Sequence, residues 1–237
     1  MVVSGKLFMI TKPIPMDEIA RRLNGYRISE EPPQGITKEF RFVTEIKGLR
    51  KRGESLAGTI TYDSTIDVNQ HGQIVKIPKT YESPFLFTER SNKMFLTVVA
   101  KKWRANAIAK RINDIIFIER NVVPLSISPR LMAQLIENNT EDQVVTFFDG
   151  IKSVDKLSLY GESLTQSALY ESYYKAGGVW YTVARSKRFG QVVGLGRNGV
   201  VVGFGMKDVE KFFDYVEEEV IPSLAEQVAG SDIPDQG

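Results

Sequence analysis

The stretch VVGLGRNGVVVGFGMKDVEKFFDYV, residues 192–216, has the clearest structural pattern in the chain. Two valine-rich segments flank Asn198-Gly199, a pair typical of a tight hairpin turn with positive φ at both positions. The segment that follows has apolar residues at helical spacing and acidic residues on its other side. Its apolar positions are Val209, Phe212, Phe213, Val216 and Val220. This order predicts two antiparallel strands followed by an amphipathic helix.

The same stretch contains GLGRNGVV, which satisfies the pattern G-x-G-x-x-G of dinucleotide-binding loops and of kinase glycine loops. A dinucleotide-binding loop begins a helix whose amides face the pyrophosphate, whereas a valine-rich strand follows Gly199 here. A kinase loop is followed by HRD and DFG motifs, which the remaining sequence lacks. We therefore interpret these glycines as part of a hairpin.

Outward from this stretch, each half of the sequence has the order helix, several strands, helix. Pro15 and Gly25 bracket the first predicted helix, and Ser128 and Pro129 form an N-cap and first turn for another. The predicted fold class is α+β, with two domains, each an antiparallel sheet with flanking helices on one face. The predicted boundaries are a basic N-terminal domain at 1–120, a C-terminal domain at 121–228, a linker near 118–126 and a flexible tail at 229–237.

Basic residues are gathered in the first half, where residues 1–120 sum to +8, while residues 201–237 sum to −7. Clustered Lys and Arg supply a salt-sensitive attraction to phosphate backbones, although ordinary solvated turns and helix faces contain such clusters too. Three segments hold the clusters: GLRKRG at 48–53, AKKWRANAIAKR at 100–111 and ARSKRFG at 184–190. We predict phosphate contacts from Arg50, Lys51, Arg52, Lys101, Lys102, Arg104, Lys110, Arg111, Arg185, Lys187 and Arg188.

Two aromatic residues accompany these clusters. On a helical wheel Trp103 shares the azimuth of Lys110, so a large ring lies on the outward, basic side of a predicted helix. Phe189 follows Arg188 at the tip of a predicted hairpin. An aromatic ring beside basic groups suits base stacking, although Trp103 could equally pack beneath a second domain or anchor a protein interface. We predict that both rings stack on bases.

The composition excludes several kinds of chemistry. The chain has no cysteine and one histidine, His71, so disulfides, thiolate zinc sites, cysteine nucleophiles and three-histidine metal sites are excluded. DVNQHG at 67–72 resembles a calcium loop, but Pro78 stands where a bidentate Glu should be, so a polar hairpin turn is the better interpretation. We expect no catalytic residue, no metal and no cofactor. No secretory signal or membrane-spanning stretch is recognisable, which predicts a cytoplasmic protein without membrane association.

Residues 192–216 resemble the end of a repeat in TATA-box-binding-protein-like (TBP-like) domains. In that family a strand, a glycine-containing turn with a basic residue, an apolar strand ending in glycine and an amphipathic helix follow one another. Here Arg197, Asn198 and Gly199 form the turn and Gly203 and Gly205 the strand end. The resemblance implies a fold of this type with nucleic acid, DNA in the first instance, as ligand. The family's DNA-kinking phenylalanine pairs and minor-groove asparagines have no counterpart that can be placed, so TATA recognition is not implied.

The leading hypothesis is a non-enzymatic protein that binds nucleic acid through backbone phosphates. The alternative is a protein-interaction adaptor or homo-oligomer, in which the acidic stretch 201–237 of one copy meets the basic half of another. An apolar patch around Trp103 would favour this alternative. An enzyme is the third reading, and a carboxylate-lined pocket near His71 would favour it.

Overall fold

The computed structural model describes residues 2–36, 39–152, 154–162, 164–206 and 208–228, and the predicted tail at 229–237 lies outside them. Helices and a large antiparallel sheet confirm the α+β class. The strands are β1 Val2–Ile10, β2 Arg27–Glu30, β3 Phe42–Arg52, β4 Ser55–Gln70, β5 Gln73–Arg90, β6 Lys93–Val98, β7 Val122–Pro124, β8 Thr140–Ile151, β9 Val154–Tyr160, β10 Gly178–Ser186, β11 Val192–Gly196 and β12 Val200–Phe204. The helices are α1 Met16–Leu23, α2 Lys102–Ile116, α3 Pro129–Asn139, α4 Ala168–Ala176, α5 Val209–Tyr215 and α6 Ile221–Val228, with a π-helical turn, Val216–Val220, between the last two.

The strands form one sheet in the order β2-β3-β4-β5-β6-β1-β12-β11-β10-β8-β9, with β7 paired to β1. β1 joins the two halves, because one of its edges pairs with β6 while the other pairs with β12 and β7. The described residues therefore hold one continuous sheet in place of the two predicted sheets. The division into two domains at residue 120 stays a prediction.

Helices cover both faces of the N-terminal half of the sheet. α1 and α2 pack on the face that presents Phe8 and Ile10, whereas the C-terminal helices pack on the opposite face, against Val3 and Leu7. Gly5 makes the second contact possible, because a Cβ there would lie 2.9 Å from the Phe212 ring. Helices on a single face were predicted, so this double cover differs from the sequence-based expectation.

The predicted linker is firmly held. Asn113 of α2 accepts hydrogen bonds at Oδ1 from the backbone amides of Asn121 (2.8 Å) and Val122 (3.0 Å). The buried Asn121 side chain in turn accepts from Thr11 Oγ1 and the Lys12 amide, both at 2.6 Å. The segment thus joins the sheet through β7, Asn113 satisfies two of its backbone amides, and Asn121 ties it to Thr11 and Lys12.

The backbone φ angles test the predicted turns and correct one of them. His71 and Gly72 have φ of 51° and 86°, so the polar turn predicted at 67–72 is confirmed, and Ser91 and Asn92, with φ of 52° and 59°, form a similar turn between β5 and β6. At 197–199 only Gly199 has positive φ (75°), and its amide donates to the Gly196 carbonyl at 2.9 Å. The expectation of positive φ at Asn198 is wrong, because the loop has three residues and needs one left-handed residue at its end.

The β4–β5 hairpin has the longest strands of the described sheet. Its strands continue to the turn at Gln70 and Gln73, and residues 71–80 are all exposed, so the outer part projects as a two-stranded arm. Ile66 pairs with Ile77 and Val68 with Val75, which places four apolar side chains on one side of the arm. Tyr62 and Tyr81 stack on each other at its base, with ring centroids 5.6 Å apart.

Candidate nucleic-acid interface

The basic hairpin tip between β3 and β4 is engaged in ion pairs. Arg50 lies 2.5 Å from Glu210, and Lys51 lies 2.8 Å from Asp17. Arg52, largely buried, contacts the three carboxylates of Glu210, Asp214 and Glu217. These contacts tie the hairpin tip to α5 and the π-helical turn, so much of the acidic C-terminal segment neutralises this cluster within the same chain.

The second predicted cluster, between β10 and β11, is also locally occupied. Lys187 donates to the Glu137 and Asn138 carbonyls, at 2.6 and 3.2 Å, where a cation complements the end of α3. Arg188 pairs with Glu218 and also donates to its backbone carbonyl at 3.4 Å. Phe189 is half-buried, with its ring centroid 5.7 Å from that of Tyr215. These groups support the fold around the C-terminal helices.

The third cluster, on α2, is different. Among the described residues, no carboxylate forms an ion pair with its cations, which are Lys101, Lys102, Arg104, Lys110 and Arg111. Trp103 is 64% exposed beside Arg104. The cluster therefore keeps its positive charge available at the surface.

α2 presents its cations on two flanks. Arg104 and Arg111 lie over the rings of Tyr81 and Tyr62 at the base of the arm, with centroid distances of 4.2 and 4.9 Å. Lys102, Asn106 and Lys110 follow each other at intervals of four residues on the other flank, since such positions lie above one another on a helix. The second flank faces the C-terminal half of the sheet, because Lys6 of β1 contacts Asn106 on this flank.

Lys6 of β1 is a buried lysine that the sequence analysis did not single out. Its side chain is directed to the α2 side of the sheet, where Nζ donates to Asn106 Oδ1 at 2.7 Å. Burial lowers the pKa of Lys6, and the nearby charge of Lys102 lowers it further. The single charged residue of the strand VVSGKLFMI was the available signal.

A groove of about 520 Å³ lies beside this flank of α2. Phe8, Asn106 and Lys110 line it together with Arg120 and Pro124. The groove lies on the side of α2 that faces the C-terminal half of the sheet. This follows because β7, whose Pro124 lines the groove, pairs with the same edge of β1 as β12 does. Two cations, Lys110 and Arg120, and one carboxylate, Asp114, line the groove.

On the side of the sheet where α2 packs, no described helix covers the C-terminal half. We call this uncovered surface the open face. Alternate residues decide its composition, because Val193, Leu195 and Val201 point to the opposite side and pack against α3–α6. The residues of the open face, taken from the strand register, are Val200, Val202 and Phe204 of β12, Val192, Gly194 and Gly196 of β11, Tyr181, Val183 and Arg185 of β10, Glu141, Val145, Phe147 and Asp149 of β8, and Lys156, Ser158 and Tyr160 of β9.

Four aromatic rings meet at the far end of the open face, and we call them the aromatic cluster. The Phe147 ring lies 5.4 Å from Trp180, 5.7 Å from Tyr181 and 6.2 Å from Tyr160. A register shift between Val179 and Tyr181 lets adjacent Trp180 and Tyr181 both reach Phe147. Tyr160 is 68% exposed. Phe147, Trp180 and Tyr181 are half-buried, so Tyr160 is the accessible ring of the cluster.

Two further contacts fix the cluster. Tyr181 lies across Gly194, where a Cβ would be 2.3 Å from the tyrosine hydroxyl, and burial raises the Tyr181 pKa. Lys156 lies over the Trp180 ring at 5.3 Å. The sequence analysis missed these residues because apolar residues on both sides of a strand are also typical of a fully buried strand.

The thirteen residues predicted to contact nucleic acid thus lie in separate parts of the structure. Arg185 lies on the open face with Asp142 3.6 Å away. Six of the contacts lie together at α2, namely Lys101, Lys102, Trp103, Arg104, Lys110 and Arg111. The others are held within the fold as described above. His71 stands at the exposed tip of the arm, and the described residues contain no group of three or more His, Asp or Glu that could hold a metal ion.

No family model matches this sequence, and no curated protein matches it either. Within the part of the chain that the structure describes, every helix is too short or too polar to cross a lipid bilayer.

Proposed function

We propose that this protein binds nucleic acid, without catalysing a reaction, along α2 and the open face. The observation that carries the proposal is that the unpaired cations of α2 border a sheet face that no described helix covers. Phosphate groups would meet Lys102, Lys110 and the other α2 cations, and the sugars and bases would meet the apolar face. This combination of charge and apolar surface suits a polyanion that also has flat rings.

A TBP-like arrangement is part of the proposal. In proteins of that kind a sheet, and not a helix, meets the nucleic acid. Here Val200, Val202 and Phe204 are half-buried on the sheet side opposite α5, and the Tyr181 ring lies against Gly194 and Gly196 on that side. The two-domain division and the cytoplasmic location belong to the same proposal, and DNA is the first ligand to test.

Binding should be measured by fluorescence anisotropy with labelled DNA over a salt series. The double variant Lys102→Gln/Lys110→Gln removes two phosphate contacts, so the slope of log affinity against log salt should fall by about 1.4–1.8. The control is Lys51→Gln/Lys175→Gln, which removes the same charge from lysines paired with Asp17 and Glu171. Absence of binding at low salt, or an equal loss in the control, would contradict the proposal.

The arm favours self-association as a second candidate function. Ile74, Val75 and Ile77 are 72%, 38% and 42% exposed, an unusual apolar content for a projecting hairpin. The predicted alternative, in which acids of 201–237 meet a second copy, has less support because Glu210, Asp214 and Glu217 pair within the chain. Light scattering of the wild type and of Val75→Lys/Ile77→Lys tests it, since a dimer formed by the arm should dissociate in the variant.

A further inference from the structure

We infer that the nucleic acid bound by this protein is single-stranded, with its bases stacked on the aromatic cluster of the open face. The inference rests on the proposed function and specifies its ligand. Tyr160 is 68% exposed at the outer end of the sheet, and its ring packs on Phe147, which in turn contacts the half-buried Trp180. Stacking needs bases whose faces are free, and a duplex buries those faces between neighbouring base pairs.

The distribution of charge supports a single strand over a duplex. The cations lie mainly on the α2 side of the open face, whereas the described cations at the aromatic end are Lys156, Arg185 and Arg197. Arg185 is near Asp142, and Asp149 at this end is paired with Arg197. A duplex carries one charge per about 1.7 Å of its axis and needs dense positive charge along its contact. A sparse set of cations among aromatic rings fits the lower charge density of a single strand.

The dimensions define a path for that strand. From β1, with Lys6 beneath the α2 flank, to β9, with Tyr160, the sheet order includes five inter-strand steps. At about 4.8 Å for each step the path is about 24 Å long. Phosphates would be held at the α2 end, and bases would stack at the β9 end. α2 forms the wall at one side of this path, because it packs on the same side of the sheet as the open face.

The test compares a labelled oligo-dT, the corresponding RNA and a duplex of the same length at low salt. Tyr160→Ala should weaken single-strand binding about 5- to 100-fold, since one stacked base is lost, and leave duplex binding unchanged. The matched control is Tyr174→Ala, an exposed tyrosine of α4 on the other side of the sheet. Thermal unfolding of each variant checks that the fold is retained.

A second readout uses intrinsic fluorescence. The chain has two tryptophans, so Trp103→Phe leaves Trp180 as the sole reporter, and its emission should be quenched when oligo-dT binds. Tighter duplex binding that is insensitive to Tyr160→Ala, without Trp180 quenching, overturns this inference while the proposed function stands. Absence of binding to all three nucleic acids overturns both. Binding of a labelled acidic polypeptide in their place would assign the surface to a protein partner and also overturn both.

Discussion

Arg52 and Asp214, 162 residues apart in the chain, form an ion pair that joins the β3–β4 hairpin to α5. The same guanidinium contacts Glu210 and Glu217, so one arginine meets three carboxylates of the C-terminal helical segment. Because Arg52 is only 23% exposed, solvent screens these contacts less than it screens an ordinary surface pair. The hairpin and α5 are therefore expected to lose stability together when Arg52 is removed.

Arg52→Ala should lower the free energy of unfolding by about 1.5–3 kcal/mol, because three carboxylates lose a charged hydrogen-bond donor. The control is Arg50→Ala, whose exposed pair with Glu210 contributes about 1 kcal/mol or less. Urea unfolding at low and high salt measures both changes. Equal effects of the two variants would contradict the assigned role of Arg52.

We expect the stability of the fold to depend on pH through the carboxyl of Glu219. Its carboxyl is buried and accepts from Ser186 Oγ at 2.6 Å, and burial raises its pKa despite this hydrogen bond and the charges of Arg188 and Lys187. A carboxyl whose pKa is higher in the folded protein stabilises the fold below its unfolded pKa, and the stabilisation is lost as pH rises through the folded pKa.

The Tm of Glu219→Gln relative to wild type should therefore rise as pH increases from about 4 to about 7. Ser186→Ala should make the decline of stability with pH steeper than in wild type, because the hydrogen bond that favours the charged carboxylate is removed. Scanning calorimetry of the three proteins in parallel provides the comparison. A difference between wild type and Glu219→Gln that stays constant over this range would show that the carboxyl does not titrate as described.

Gly199→Ala should destabilise the protein by about 1–3 kcal/mol, because the residue has positive φ in a crowded position. A Cβ there would lie 2.9 Å from the Leu7 carbonyl oxygen and 3.2 Å from that of Leu125. Gly53→Ala is the matched control, since Gly53 has φ of 60° with nothing within 4 Å. Chemical denaturation should give the larger loss at residue 199, and the reverse order would contradict the packing described around this loop.

Asn121→Ala should cost about 1–3 kcal/mol, since the Thr11 hydroxyl and the backbone of Lys12 would lose their partner at a buried position. Asn69→Ala removes one hydrogen bond to the Gly72 amide in the exposed turn of the arm, where water can replace it, and should cost about 0.5 kcal/mol or less. Hydrogen exchange would locate the change at residues 9–12 and 119–123 in the first variant. Unchanged exchange there would contradict the proposed anchoring.

The elements themselves were largely predictable from the sequence, and their partners were not. Period-2 and period-3.6 patterns identified most strands and helices, and Ser128 caps α3 as predicted, with its Oγ 3.2 Å from the Leu131 amide. Nothing in those patterns shows that β1 pairs with both β6 and β12. The long arm was missed because residues 63–80 are too polar for an ordinary strand pair.

For a related reason, the sequence indicated only part of the candidate site. Clusters of Lys and Arg are apparent in a sequence, but the carboxylates that pair with Arg50 and Arg188 come from distant segments. The open face is formed by alternate residues of five strands, so no continuous motif records it. Trp103 was correctly placed on the outward side of its helix, whereas Phe189 packs against Tyr215.

The position of β1 has a consequence for synthesis of the chain. β1 leaves the ribosome before every other described strand, yet β12, which pairs with its residues 2–6, leaves after all of them. Until β12 emerges, one edge of β1 keeps unpaired backbone groups that could recruit another nascent chain. β7 occupies part of that edge much earlier, at residues 8–10, so it can protect β1 during the interval before the sheet closes.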